Sequence, residues 1–166
     1  MSSLEALYQQ VILDHSKEKH GRTDLADDAV LDPASTVRSH QYNPLCGDEV
    51  TVQLTLGGQR VDEVAWTGEG CSISQAATSV MHDLIVGKPV DEARGILADY
   101  RAMLRSRGTA TPDEEVLGDA VAFAGVSRHA NRVKCAILGW TAFEDALLRI
   151  EASRQDSPTA TAKEAS

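Results

Sequence analysis

The feature that most limits how this chain can fold is a clean two-residue alternation followed by a glycine pair. Val50, Val52, Leu54 and Leu56 alternate with Thr51, Gln53 and Thr55, and Gly57-Gly58 comes immediately after. Alternation at that period places every apolar residue on one side of an extended strand. The glycines suit the positive φ of a tight hairpin turn, so residues 60–67 are expected to return as a second, antiparallel strand. Such a hairpin buries only one face and needs a covering layer, and the downstream segments read as helices. Gly68, Gly70 and the short run 71–73 suggest a third strand leading into a helix over 75–86, capped by Ser74 and stopped by Gly87 and Pro89. Ala93, Ile96, Leu97, Tyr100, Met103 and Leu104 recur at helical spacing over 90–104. Thr111-Pro112-Asp113-Glu114 opens a short helix, with proline in its first turn and a capping-box glutamate, and Gly125 interrupts the chain again. In the closing helix Val133, Ile137, Trp140, Phe143, Leu147 and Ile150 form one stripe.

Upstream of the hairpin, residues 2–14 read as an amphipathic helix. Leu4, Leu7 and Val11 form its face, with Tyr8 and Ile12 alongside and Ser2-x-x-Glu5 as a capping box. The polar stretch 16–41 reads as a loop draped over the fold. The order helix, antiparallel strands, helices is an α+β signature: a three-stranded antiparallel sheet packed against a set of helices, with long helices at both ends. The 166 residues suit one domain over 1–152, and the Ser/Thr/Ala-rich stretch 153–166 is expected to be a disordered tail.

Acidic residues outnumber basic ones 25 to 16, for a net charge of −9. That balance excludes nucleic acid and anionic membrane surfaces as the main partner. No apolar run approaches a membrane span, and no basic-then-apolar leader opens the sequence, so a cytoplasmic location is expected.

The chemistry-bearing residues are three cysteines, Cys46, Cys71 and Cys135. Their number is odd and no C-x-x-C occurs, which argues against a disulfide framework. Buried structural thiols are the plain alternative. Each cysteine, however, sits at an element boundary: Cys46 in the turn-rich Asn43-Pro44-Leu45-Cys46-Gly47-Asp48, Cys71 between Gly68-Glu69-Gly70 and a helix start, and Cys135 in the first turns of the last helix, after a cap at Ser127 or Asn131. Turn amides and helix N-termini stabilise thiolate, the form that both ligates metal and attacks sulfur. A closed metal site needs a fourth ligand. Asp48 is the candidate, because positions 46 and 48 of an extended segment face the same way; an ordinary turn aspartate is the equal alternative. His15, His20, His40 and His82 fall where a solvated role is expected, and His129, six residues before Cys135, is a spare ligand. Arg132 and Lys134 read equally as partner-facing charges and as solvated helix positions. No glycine-rich phosphate cradle occurs, since Gly68-x-Gly70 runs into Cys71 and lacks the P-loop lysine.

Asn-Pro-Leu-Cys-Gly-Asp at 43–48, Gly-Glu-Gly-Cys-Ser-Ile-Ser at 68–74 and Arg-Val-Lys-Cys-Ala at 132–136, with Tyr-Gln-Gln-Val-Ile-Leu-Asp-His at 8–15, resemble the motifs of the U-type iron–sulfur assembly proteins. The likeness runs from about Leu4 to Ile150. That family holds IscU-type cluster scaffolds and SufU-type zinc-dependent sulfurtransferases. Two features resemble the SufU branch: Lys134 stands where IscU proteins carry a histidine before the third cysteine, and a long helical stretch separates Cys71 from Cys135. Ala130 replaces the family's proline, and Lys17-Glu18-Lys19-His20 replaces its early Lys-Asn-Pro-Arg. The resemblance implies zinc held by Cys46, Asp48, Cys71 and Cys135. It implies that Cys46 accepts persulfide sulfur from a PLP-dependent cysteine desulfurase of the SufS type, a desulfurase histidine taking its place on zinc. The sulfur would then pass to a downstream iron–sulfur scaffold. The alternative is an IscU-like scaffold that assembles a [2Fe–2S] cluster on the same residues, and a purely structural zinc fold is the third reading.

Overall fold

The computed structural model describes residues 3–26 and 30–156. Its elements are α1 (Ser3–Glu18), β1 (Thr36–Asn43), β2 (Asp48–Gly57), β3 (Arg60–Glu69), α2 (Ser72–Ile85), α3 (Val90–Arg105), α4 (Glu114–Leu117), a 3-10 segment (Gly118–Arg128) and α5 (Ala130–Asp156). The strands form one antiparallel sheet in the order β1-β2-β3. The α+β class, the three strands and the long terminal helices agree with the sequence reading.

The alternating residues of β2 behave as their pattern requires: Val50, Val52, Leu54 and Leu56 are all buried, while the intervening residues are half-exposed. With Val61, Val64 and Trp66 of β3 they make one face of the core, which α5 and α2 cover. Two contacts fix how those helices cross. Trp140 Nε1 donates to the Ala77 carbonyl at 3.2 Å, and Gly139 lies against Thr78 so closely that a Cβ there would collide with its side chain. The crossing brings the N-terminal turns of α5 beside the N-terminus of α2. From α3, Tyr100 stacks on Trp140 (centroids 4.1 Å apart) and donates to the Ala136 carbonyl at 2.8 Å.

The third strand is not 71–73 but β1, most of which lies in the stretch 16–41 expected to be a loop. Its inward positions are Val37, Ser39, Gln41 and Asn43, so the strand lacks an apolar stripe. Ser39 is buried instead through a 2.7 Å hydrogen bond to Asp145 of α5. Cys71 is the N-cap residue of α2, which begins at Ser72 rather than Gln75; Ser74 is not the cap, and its hydroxyl donates to the Cys71 carbonyl at 3.0 Å. Part of the 19–35 connection does drape over the fold as expected. Trp66 exchanges backbone bonds with Gly21 and Thr23, and its indole N–H donates to the His20 carbonyl at 2.7 Å.

α1 departs from its expected face. Leu4 and Leu7 are 55% and 58% exposed, whereas Ile12 and His15 are buried. The reason is that the C-terminal half of α1 seats on α2, where His15 meets Ser79, so the buried stripe is rotated toward that end. Ser2 of the expected capping box lies outside the described residues. Asp113, rather than Thr111, caps α4, its carboxylate accepting the Glu115 N–H at 2.9 Å, and Gly125 falls within the 3-10 segment. At the other end, α5 continues through Asp156, past the expected start of a tail at 153. Arg154 holds that last turn, donating to the carbonyls of Ala34 and Gly58 at 2.7 Å each. Residues 157–166 lie outside the described ones. Among the described residues, no helix is long and apolar enough to cross a membrane.

Candidate metal centre

Three chain segments meet at one end of the sheet. The first is the turn 44–47 joining β1 to β2, which opens on the residue pair Asn43 and Asp48. Gly47 sits at φ +72°, and its N–H donates to the Asn43 carbonyl at 2.8 Å, closing the turn. Asn43 builds an Asx turn inside it: its side-chain oxygen accepts the Leu45 N–H at 3.1 Å. Its amide nitrogen donates to Cys46 Sγ at 3.0 Å. Cys46 is exposed, beside the exposed Leu45.

The second segment is the start of α2. The Asp48 carboxylate, 1% exposed, accepts the Cys71 N–H on Oδ1 at 2.8 Å, and its Oδ2 lies 3.5 Å from Cys71 Sγ. Gly70 makes this approach possible, since a Cβ there would strike both that carboxylate and the Ser74 hydroxyl. Asp48 thus caps the helix N-terminus, accepting one of its free N–H groups.

The third segment is the second turn of α5. Cys135 is 5% exposed, and its Sγ stands 3.1 Å from Cys46 Sγ and 3.6 Å from the Asn131 carbonyl. All three cysteines are free thiols. Burial, and then its hydrogen bond with Asp48 and the neighbouring Cys46 and Cys71, push the Cys135 thiol far above the ordinary cysteine range. Burial away from water disfavours the charged thiolate most, and the acidic groups crowded beside it add to that effect.

A divalent cation relieves it. Ligand atoms of Cys46, Asp48 and Cys135 lie within 4.8 Å of one another; Cys71 lies outside that mutual spacing but touches Asp48, its Sγ 3.5 Å from Oδ2. Two thiolates on a tetrahedral zinc stand about 3.8 Å apart, and a thiolate and a carboxylate oxygen about 3.5 Å. The 3.5 Å between Cys71 and Asp48 meets that spacing, and the 3.1 Å between Cys46 and Cys135 reaches it by an opening of under ~1 Å. Three sulfurs and one oxygen are a donor set zinc accepts. The residues present fit the metal.

Of the four residues singled out in the sequence, Cys46, Asp48 and Cys135 therefore converge, and Cys71 stands beside them in contact with Asp48. His129 does not join them: it is exposed, ends the 3-10 segment and is absent from the group of mutually close ligand atoms. Arg132 and Lys134 are exposed on the first turns of α5. Asn43 is visible in the sequence only as part of a motif, although an asparagine two residues before a turn N–H is itself an Asx-turn signal. His15 departs most from its expected solvated role, being buried between Ser79 and Asp119.

The comparisons with known proteins agree with this architecture. Residues 7–147 match the model of the NifU-like N-terminal domain. The chain is 36% identical over 150 residues to the zinc-dependent sulfurtransferase SufU of Bacillus subtilis strain 168, covering 90% of this chain and 95% of that protein. It is 33% identical over 149 residues to the iron–sulfur cluster assembly scaffold protein IscU of Streptococcus pyogenes serotype M1, covering 90% and 87%. Among solved structures it resembles a Fervidobacterium islandicum AW-1 protein described as an iron–sulfur cluster assembly scaffold for the SUF system, with a TM-score of 0.68, 34% identity, and 88% and 99% coverage. The chain belongs to the NifU-like N-terminal domain family, among its IscU- and SufU-like iron–sulfur cluster assembly proteins.

Proposed function

We propose that the protein is a zinc-dependent sulfurtransferase of iron–sulfur cluster assembly, which takes sulfane sulfur from a PLP-dependent cysteine desulfurase of the SufS type and passes it to a downstream scaffold. Cys46, Asp48, Cys71 and Cys135 hold the zinc, and Cys46 is the acceptor. The observation that carries this reading is the asymmetry of the cluster: Cys135 is buried in α5, Cys71, though exposed, is held at the N-cap of α2 by Asp48, and Cys46 rides an exposed turn. When bound, zinc keeps the thiols ionised near neutral pH and, being redox-silent, does not itself reduce or oxidise the cargo.

The chain's own part is to present one nucleophilic sulfur. The Cys46 thiolate attacks the terminal sulfur of the donor's persulfide. A new S–S bond forms at Cys46, the donor's S–S bond breaks, and the donor cysteine leaves as thiolate, with no net oxidation or reduction. The exposed position lets a partner's persulfide approach, and Asn43 aims the sulfur by its 3.0 Å hydrogen bond. Asp48 supports this without taking part, by anchoring Cys71 at the helix N-terminus.

A scaffold role, in which the same four residues hold a [2Fe–2S] cluster as cargo, is favoured by the likeness to IscU of Streptococcus pyogenes. Desulfurase turnover with and without this protein, together with its metal content, separates the two readings. Stoichiometric zinc, no visible absorption and a stimulation abolished by Cys46→Ala support transfer. A coloured, iron-containing product with no stimulation supports the scaffold.

A further inference from the structure

A second set of metal-competent side chains lies where the end of α1 meets α2. Ser79 and Asp83 there are eight and twelve residues beyond Cys71, so the set is about 12–18 Å along α2 from the cysteine cluster. His15 is 4% exposed, with Nδ1 2.7 Å from Ser79 Oγ and Nε2 3.1 Å from Asp119 Oδ2. His20 stands edge-on to it, ring centroids 4.9 Å apart. Its Nδ1 is 2.6 Å from Asp83 Oδ2 and its Nε2 is 2.9 Å from Glu18 Oε2. His82 takes the other Asp83 oxygen at 3.0 Å. The turn that returns His20 over α2 runs through Lys19 at φ +50° and Gly21 at φ +82°, where the chain lies against the His82 ring.

A neutral imidazole has one N–H and one lone pair. His20 nevertheless faces a carboxylate with each nitrogen, and two lone pairs cannot meet favourably there. A second proton on His20, favoured by its hydrogen bond to Asp83, resolves this arrangement, and a metal ion in the proton's place would resolve it too. One ligand atom each from His15, His20 and Asp83 lies within 4.8 Å of the others. Drawing them to the spacing of about 3.3 Å around a tetrahedral ion needs a movement of up to ~1.5 Å, which the part-exposed His20 ring can make by side-chain rotation.

We propose that His15, His20 and Asp83 form a second site, for a divalent transition-metal ion such as Zn²⁺ or Co²⁺, independent of the cysteine cluster. Two imidazoles and one carboxylate suit ions of intermediate hardness; Mg²⁺ and Ca²⁺ want an all-oxygen shell, and Cu⁺ wants sulfur. With three protein ligands the site is open, the remaining positions falling to water. Its occupant pins α1, whose N-terminal half is exposed, onto α2.

The test uses the full chain with one equivalent of zinc bound, dialysed against micromolar Co²⁺. Cobalt on two imidazoles and a carboxylate shows weak visible bands without thiolate charge transfer, so any exchange into the cysteine cluster is seen separately. One Co²⁺ per chain without charge transfer is expected for the wild type. His20→Gln, at a part-exposed position, and Asp83→Asn should each weaken that binding more than about tenfold while leaving the cysteine-bound zinc in place. His15→Gln should do the same, but its burial makes the other two variants the decisive ones. No second equivalent in the wild type, or one that His20→Gln and Asp83→Asn both retain, overturns the site and marks the cluster as a hydrogen-bonded clasp. Neither outcome bears on the sulfur-transfer reading, which the cysteine-bound zinc reports.

Discussion

Replacing Asp48 by alanine separates the two tasks that its carboxylate performs. In the zinc-free protein, Oδ1 accepts the Cys71 N–H at 2.8 Å from a side chain 1% exposed. Losing a hydrogen bond to a charged acceptor costs about 1.5–3 kcal/mol. Removing a buried acid also ends its own desolvation, so the net loss falls near the lower part of that range, about 2 kcal/mol. With a urea dependence of about 2 kcal/mol per molar, the unfolding midpoint measured with chelator present should drop by about 1 M. Zinc affinity should fall by more than the ~10–100-fold that a merely supporting residue is worth, because the proposed function makes Asp48 itself a ligand. Asp48→Asn distinguishes the effects. Its amide oxygen can still accept the Cys71 N–H, so about half of the lost stability should return, while zinc binding stays weak. An Asp48→Ala protein with wild-type urea midpoint and wild-type zinc affinity would refute both the anchoring and the ligand role.

Other substitutions probe the supports of the same cluster. Asn43→Ala removes the hydrogen bond to Cys46 Sγ and should speed zinc loss to a chelator by about 10–100-fold while leaving the fold intact by circular dichroism. Tyr100→Phe deletes the bond to the Ala136 carbonyl, next to Cys135, and should cost about 1 kcal/mol, a fall in Tm of about 2–4 °C in the zinc-free protein. Gly139→Val drives a side chain into Thr78 at the crossing of α5 and α2; an overpacking cost of about 1–3 kcal/mol and a parallel loss of zinc affinity are expected, by thermal melts and competition titration.

The parts of the fold legible in the sequence are those whose signals are local. The β2–β3 hairpin declares itself through strict alternation and Gly57-Gly58, and α3 through six apolar residues that are all buried. The residues of the candidate metal centre are legible because turns and helix starts are written in glycine, proline and asparagine beside them. β1 is illegible for the opposite reason. Its inward side is largely polar, and Ser39 is satisfied by Asp145, 106 residues away, a partner that no local pattern announces. His15 looks like a polar residue near the end of a helix until Ser79 and Asp119 arrive from distant segments. Leu4 and Leu7 mislead because apolar spacing marks a stripe without saying which half of a helix finds a partner. The short apolar run at Cys71 misleads in another way, since it serves a helix start rather than a strand.

Whether Cys46, Asp48, Cys71 and Cys135 share one zinc ion is read out by X-ray absorption at the zinc edge, on the full chain carrying one equivalent of the metal. Three sulfur neighbours near about 2.3 Å and one oxygen near about 2.0 Å are expected, with Cys46→Ala losing one sulfur. A coordination shell of nitrogen and oxygen alone, or one that Cys46→Ala leaves unchanged, would contradict the shared site.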